Sequence, residues 1–256
     1  MLSIKTGSPA ESAATTRRNR MHKQLFLTLF ASSFIFLVLS YFPDTVPDLI
    51  LISLLLVGVI LIAKVLGKKP ALAFGASAAI YFLLGGVEYI STLYLHMSFL
   101  SFALYFLWPE RQKLISGCGS TPKRIGYGIL IFGIMLIAAI IANLLIHAAG
   151  ITDQDKVVGI VSALPIYVII MAFTLGPISE ELFFRAFLVP RVGVPVSTIM
   201  FALVHAAYGS IAELAGALFL GFVLANAYYF LRDPLPCIIA HALFNLLSIS
   251  LILWVY

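Results

Sequence analysis

One apolar stretch decides the fold class of this chain: residues 125–146 read IGYGILIFGIMLIAAIIANLLI. The stretch contains no Asp, Glu, Lys or Arg. A helix of this length is about 33 Å long, which is enough to cross a hydrocarbon core of about 30 Å. The stretch therefore predicts a transmembrane helix rather than the core helix of a soluble domain.

The whole chain has the composition of a membrane protein. Of its 256 residues, 62% are hydrophobic and 11% are charged, whereas a soluble domain is about half apolar and about a quarter charged. Residues 70–108 fit either a hairpin around Gly85-Gly86 or one long span and a half-helix. We therefore predict an all-α, polytopic transmembrane helical bundle with eight or nine spans. The predicted spans are 24–42, 47–66, 70–87, 90–108, 124–148, 158–178, 194–208, 211–231 and 235–255.

Basic residues lie in short segments between the apolar stretches, where they act as orientation signals. The basic segment 17–23 precedes the first stretch, so we expect a cytoplasmic N-terminus in a multi-pass protein of the cell membrane. The acidic segment 152–155 is then outside, and Arg185 and Arg191 are inside, which places Glu180 near the cytoplasmic face. Because these segments account for the net charge of +5, we exclude nucleic acid as a partner.

The first polar cluster follows an apolar span and reads Glu180-Glu181-Leu-Phe-Phe-Arg185. Ionisable groups are costly inside a bilayer, so they indicate a functional site by default. Glu181 and Arg185 are four residues apart and share one helix face, where they can pair. Glu180 is rotated by about 100° and is left to face another part of the bundle. The structural alternative is a capped, salt-bridged helix start at the membrane surface.

Two further polar clusters lie in later apolar spans. His205 comes four residues after Phe201, and His241 comes four residues before Asn245. His241 and Asn245 share one helix face, and their polar groups need partners inside the bundle. A hydrogen-bonded packing histidine and an interhelical clasp are the structural alternatives.

Together, the three clusters supply the groups that hydrolysis of an amide requires. A carboxylate and a histidine can hold and deprotonate a water. A second histidine and an Asn amide can donate hydrogen bonds to the developing oxyanion. Sequence spacing alone leaves open whether these groups meet in space.

The three clusters resemble the motifs of the CAAX-protease and bacteriocin-processing (Abi) family of membrane proteins. Those motifs are Glu-Glu-x-x-x-Arg, Phe-x-x-x-His and His-x-x-x-Asn, in that order, and the likeness covers about residues 120–255. Ala186 departs from the family pattern, because a Gly commonly follows the Arg. The resemblance implies a glutamate-type intramembrane endopeptidase whose active site lies inside the bundle and opens toward the cytoplasm. Its substrates would be peptides or proteins, including lipidated or membrane-anchored ones, and it implies no cofactor.

The resemblance also implies a role for each site residue. Glu180 would be the general base on a water that His205 helps to hold. His241 and Asn245 would form the oxyanion site. The supporting residues beside them would be Glu181 and Arg185.

We accordingly interpret the chain as three regions. Residues 1–22 are expected to be a disordered basic cytoplasmic tail, and residues 23–110 to be N-terminal transmembrane helices. Residues 120–256 are expected to be the catalytic, CAAX-protease-like membrane domain.

Three other functions stay open at this point. Glu180, His205 and His241 also match the two-His, one-Glu ligand set of catalytic zinc sites, although the His-Glu-x-x-His pattern is absent. Loss of activity in a chelator would distinguish a zinc enzyme. Intramembrane carboxylates can line a transport path, but the chain lacks the repeats of many transporters. A non-catalytic immunity protein is the third, and Glu180→Ala would leave its effect unchanged.

Overall fold

The computed structural model describes residues 9–40, 48–84, 87 and 89–255, and helices account for almost all of them. The described residues contain no β-strand, which confirms the all-α prediction. The chain packs as two compact units, one ending at Glu110 and the other beginning at Arg111.

The first unit is held together by a cluster of aromatic rings. Its helices are α1 (Pro9–Ser40), α2 (Asp48–Val65), α3 (Lys68–Leu84) and α4 (Ile90–Leu107). Phe36 is fully buried, and its ring centroid lies 5.0 Å from Tyr81, 5.6 Å from Tyr94 and 6.1 Å from Phe74. Ring pairs at these separations add to the stabilisation from burial alone. The cluster therefore joins α1 to α3 and α4.

The N-terminal tail differs from its prediction. Residues 9–22, which were assigned to a disordered tail, form the first turns of α1, whereas residues 1–8 lie outside the described residues. Pro9 stands at the start of the helix, where its fixed φ favours helical geometry. The following Ala and Arg residues have high helix propensity. The helix of the first apolar stretch therefore extends toward the N-terminus.

The second unit contains a longer series of helices, and α12 packs mainly against α6 while α11 packs against α10 and α6. The elements are α5 (Arg111–Ser116), α6 (Thr121–Ala148), α7 (Asp155–Ser162), α8 (Ile166–Phe173), α9 (Leu175–Glu180), a π-helix (Glu181–Leu188), α10 (Val189–Val204), a 3-10 turn (His205–Tyr208), α11 (Ile211–Leu231) and α12 (Pro234–Val255).

The described residues contain five helices long and apolar enough to cross a membrane, or six if α7 and α8 form one broken span. The chain is thus a multi-pass membrane protein, and its described residues contain five or six candidate spans, against the eight or nine that the sequence predicted for the whole chain. Residues 70–108 form the separate helices α3 and α4, and Gly85-Gly86 lies outside the described residues. With 17 residues, α3 is about 25 Å long and falls short of a hydrocarbon core of about 30 Å.

The predicted span 158–178 is broken in the structure. Its two parts, α7 and α8, meet at an angle of 116°. Pro165 stands immediately before α8, and a proline disfavours helical geometry in the residue before it. Beyond α8 the chain stays helical to Leu188, apart from a break at Thr174. Glu180 therefore lies at the end of a helix that begins at Leu175, rather than in the first turn of a helix that follows the predicted span 158–178.

The long helical stretch from Leu175 to Tyr208 turns back on itself. Gly193 adopts φ 80° and ψ 170°, a left-handed region that favours glycine. The guanidinium of Arg185 lies 4.1 Å from the ring centroid of Phe201, whereas a straight helix would separate the two residues by about 24 Å. The two arms therefore run antiparallel, and the second arm starts where the sequence predicted the segment 194–208.

A buried ion pair joins the start of α6 to the connection between α11 and α12. Arg124 donates from Nε to Oδ2 of Asp233 at 2.6 Å and from Nη2 to Oδ1 at 2.8 Å. The backbone N–H of Cys118 donates to the same carboxylate at 2.9 Å. Burial alone would raise the pKa of Asp233, but the hydrogen bonds from Arg124, Cys118 and Leu235 outweigh it and hold that pKa below its ordinary value.

At the opposite ends of these helices, a second carboxylate connects the segment after α6 to the start of α11. Asp153 accepts hydrogen bonds from the backbone N–H groups of Ile211 at 2.7 Å and Ala212 at 3.1 Å. It also accepts one from the Ser210 hydroxyl at 3.0 Å. These bonds lower the pKa of Asp153, with the backbone bonds from Ile211 and Ala212 as the largest causes. They satisfy N–H groups that a helix start otherwise leaves without partners.

Candidate active site

The first motif begins at Glu180, the last residue of α9, and continues into the π-helix that follows. Such turns are rare and frequently occur at functional sites. Within it, Nε of Arg185 lies 3.1 Å from Oε2 of Glu181, and both side chains are fully buried. The ion pair that their spacing predicted is therefore present. The guanidinium compensates the negative charge that Glu181 brings into the interior.

One imidazole lies between the two adjacent glutamates. Nδ1 of His241 is 2.9 Å from Oε1 of Glu181, and Nε2 of the same ring is 3.9 Å from Oε2 of Glu180. An ionised carboxylate only accepts hydrogen bonds, so Nδ1 carries a proton and donates a hydrogen bond to Glu181. Nε2 is consequently the nitrogen that faces Glu180. The two glutamates therefore approach one ring from its two sides, although the sequence had suggested that they face different parts of the bundle.

The ring of Phe201 connects all three motifs. It lies 4.1 Å from the guanidinium of Arg185, and its centroid is 4.7 Å from His205 and 5.9 Å from His241. A guanidinium above an aromatic face is attracted by the ring quadrupole. A Cβ built on Gly221 would lie 2.8 Å from Cδ1 of Phe201. The missing side chain of Gly221 is therefore what lets α11 approach this ring.

His205 begins the 3-10 turn that follows α10. Its Nδ1 lies 3.0 Å from the carbonyl oxygen of Phe201, which can only accept a hydrogen bond. Nδ1 therefore carries the proton, and Nε2 of the neutral ring is left as an acceptor. The ring is also stacked on Tyr208, with centroids 6.3 Å apart and planes at 18°.

Asn245 lies one turn after His241 and connects α12 to α8. Its side-chain Nδ2 donates to the carbonyl oxygen of Ala172 at 2.8 Å. An Asn amide has two N–H groups, so one further donor remains after this bond. Asn245 also lines the cavity next to the site.

A cavity of about 340 Å³ opens beside these residues, within the usual size range of ligand pockets. Aliphatic residues of α6, α7, α11 and α12 form most of its wall. Polar side chains are a minority of the lining, and they are Asn143, Gln154, His205, Tyr208, Glu213, His241, Asn245 and Ser248. Both histidines of the motifs thus line a pocket that is otherwise mainly apolar.

Comparison with known families agrees with the motifs. Residues 162–247 match the family model described as type II CAAX prenyl endopeptidase Rce1-like. These residues belong to the Rce1-like family. No curated protein and no solved structure matches the chain significantly. The Rce1-like domain covers about a third of the chain, and it contains all six residues that the sequence analysis selected.

The structure brings the selected residues of the Rce1-like domain together to different degrees. Glu180, Glu181 and Arg185 form one connected group with His241. His205 adjoins this group through the Phe201 ring. Asn245 and His205 also line the same cavity as His241. Among the described residues, no three His, Cys, Asp or Glu side chains converge as the ligands of a metal ion.

Glu213 is a residue of the Rce1-like domain that the sequence analysis did not select. It lies in the first turn of α11, where its backbone N–H donates to the Ser210 hydroxyl at 3.1 Å. The carboxylate, however, lines the cavity with His205. Its position follows from the tight turn between α10 and α11, which brings two residues from different helices together. Hydropathy carries no signal for this approach.

Proposed function

We propose that this chain is an intramembrane endopeptidase that hydrolyses a peptide bond with a water activated by Glu180. The observation that carries the proposal is the position of His241, with Nδ1 bonded to Glu181 and Nε2 directed at Glu180. Membership of the Rce1-like family supports a hydrolase that acts on peptides or proteins.

In the proposed reaction, the water lies between Glu180 and His205. The carboxylate takes a proton from the water, as a general base does, while Nε2 of His205 accepts the second hydrogen bond. The hydroxide attacks the carbonyl carbon of the scissile bond, and the developing oxyanion needs donors on its other side. His241 supplies an Nε2–H when it is protonated, and Asn245 supplies the N–H that Ala172 does not use.

The proton on Glu180 then passes to the leaving amine, which completes the hydrolysis without any other reactant. The cavity supports this route because its apolar wall limits the access of bulk water, and hydrogen bonds to charged groups are stronger in such surroundings. We further propose that the N-terminus is cytoplasmic, as the basic segment 17–23 predicts. Residues 120–256 would then be the catalytic membrane domain.

The test is a cleavage assay with the purified full-length protein in liposomes. Prenylated CAAX peptides are the first candidate substrates, because the matching family model describes CAAX prenyl endopeptidases. Wild type is compared with Glu180→Gln and with the control Glu110→Gln, an exposed glutamate of the first unit. We expect cleavage by wild type and by the control, and none by Glu180→Gln.

A chelator arm separates the water mechanism from a zinc enzyme that uses the same residues. Unchanged cleavage in the chelator supports Glu180 as the base, whereas loss that zinc restores would place Glu180, His205 and His241 as ligands. Asn245→Ala should retain residual activity, because loss of one oxyanion donor lowers kcat by about 100- to 1,000-fold. Full activity in Glu180→Gln would overturn the proposal.

A further inference from the structure

The cavity beside the site contains one carboxylate that the proposed reaction does not use. Glu213 is the only acidic side chain among the described residues that line the cavity, and the lining includes no Lys or Arg. In the described part of the chain, no Lys or Arg of the cavity lining pairs with its carboxylate, and His205 on the same wall is its electrostatic neighbour. An ionised group in mainly apolar surroundings is costly without a partner, so this position requires its own explanation.

The chain holds Glu213 in place from outside the cavity. Its backbone N–H donates to Ser210, whose hydroxyl in turn donates to Asp153 at 3.0 Å. Lys156 donates to the carbonyl oxygen of Gly209 at 2.9 Å. These bonds anchor the first turn of α11 and do not use the Glu213 carboxylate, which lies with His205 and Tyr208 in the cavity lining. The local cation, Lys156, is itself not part of the cavity lining.

We propose that Glu213 is a specificity residue that binds a positively charged group of the substrate, either a Lys or Arg side chain or a free amino terminus. The inference rests on the proposed endopeptidase function and names a feature of its substrate. His205, His241 and Asn245 line the same cavity as Glu213. The cationic group therefore belongs to the residues that immediately flank the scissile bond.

The chemistry of the cavity favours this ligand over a neutral or acidic one. A cation that enters the cavity exchanges its water for a carboxylate in surroundings where charge pairs interact more strongly than in water. An acidic side chain in the same place would meet the negative charge of Glu213 without a compensating cation. The apolar wall would at the same time accept aliphatic neighbours of the cationic residue.

The test measures binding separately from cleavage. The probes are fluorescent eight-residue peptides that are apolar except for one Lys, Gln or Glu, placed in turn at each position. Binding is measured with the full-length protein carrying Glu180→Gln, so that no probe is consumed. We expect the best Lys peptide to bind about tenfold more tightly than its Gln counterpart.

Further variants in the Glu180→Gln background show whether Glu213 causes this preference. Adding Glu213→Gln should abolish it, adding Glu213→Lys should reverse it toward the Glu peptide, and adding Glu213→Asp should retain part of it. Ser248→Ala, which alters a neutral position of the cavity lining, is the matched control and should keep the full preference. A helix-start role for Glu213 would change thermal stability but not the choice between Lys and Gln peptides.

The outcomes distinguish this inference from the proposed function. A Lys preference that depends on Glu213, without cleavage of any peptide by wild type, would support the subsite and reject the endopeptidase. Cleavage without a charge preference would support the endopeptidase and overturn the subsite. Equal binding of Lys and Gln peptides, or no binding of any of them, would also overturn it.

Discussion

Nδ1 of His241 donates a hydrogen bond to Oε1 of Glu181 over 2.9 Å, although the two residues are 60 positions apart in the chain. The bond fixes the tautomer of the imidazole and directs Nε2 toward Glu180. A histidine whose second nitrogen is bonded to a carboxylate is held in orientation by it, as in other catalytic sites. Glu181 is thus more than the ion-pair partner of Arg185, because it also positions His241.

Glu181→Gln tests this positioning. The Gln amide can still bond to Nδ1, but it lacks the negative charge that favours the protonated ring, whose Nε2–H the proposed reaction needs. We expect kcat to fall by about 10- to 100-fold, as for other residues that orient a ligand or catalyst, with little change in KM. The measurement is steady-state cleavage by the purified protein, with the ¹⁵N shifts of the His241 ring reporting which of its nitrogens carry protons. An unchanged kcat together with unchanged ¹⁵N shifts would contradict the role of Glu181 in positioning His241.

Arg185→Met should be strongly destabilising. The substitution removes the guanidinium beside Glu181 and leaves this fully buried carboxylate with only the hydrogen bond from His241. Breaking such a pair costs about 3–5 kcal/mol, and we expect a loss of that size in the free energy of unfolding. Arg185→Lys should recover only part of it, because an ammonium does not reproduce the planar group above Phe201.

The control for Arg185 is Arg191→Ala, at an exposed position in α10, which follows the π-helix in the chain. Its guanidinium donates to the Phe187 carbonyl and lies over the Phe187 ring. We expect a loss below about 1 kcal/mol there. The free energies of unfolding are measured with denaturant in mixed micelles. Equal losses at the two positions would show that the buried ion pair stabilises the protein no more than the exposed arginine does.

Gly117→Ala should disrupt the ion pair between Arg124 and Asp233. Gly117 has φ +57°, and a Cβ there would overlap the Asp233 carboxylate and the Arg124 guanidinium. These groups sit in a network of backbone hydrogen bonds and have no room to move apart. We expect a clear fall in Tm and in the yield of folded protein. Gly126→Ala is the matched control, because a Cβ at Gly126 meets nothing within 4 Å, and it should be neutral or slightly stabilising.

Asp153 makes stability depend on pH in the acidic range. Its pKa in the folded protein is below the ordinary value of 3.8, chiefly because of the Ile211 and Ala212 N–H bonds. A lowered pKa stabilises the fold fully above the unfolded-state pKa, and this contribution is lost as pH falls through the folded-state pKa. The Tm difference between wild type and Asp153→Asn should therefore be constant near neutral pH and shrink below about pH 4.

The exposed Asp155 provides the comparison, since Asp155→Asn removes a carboxylate two residues away. Its Tm difference from wild type should be small at every pH between 7 and the acidic limit of the assay. A difference for Asp153→Asn that grows on acidification would contradict the assigned hydrogen bonds.

The amino-acid sequence by itself determined the fold class and the family. Long apolar stretches such as residues 125–146 predicted membrane helices because hydropathy is a local property that one helix satisfies alone. The spacing of Glu181 and Arg185 predicted their ion pair for the same reason, since residues four apart meet within one helix. The three motifs in order predicted a domain of the CAAX-protease and bacteriocin-processing family, and residues 162–247 match the Rce1-like family model.

Only the tertiary structure decided how the motifs meet. The break between α7 and α8 divides the predicted span 158–178, and the reversal at Gly193 brings Phe201 back to Arg185. The bond from His241 to Glu181 and the place of Glu213 in the cavity join residues from different helices. Such contacts depend on which helix faces pack together, a property of the whole bundle that hydropathy and local spacing do not contain.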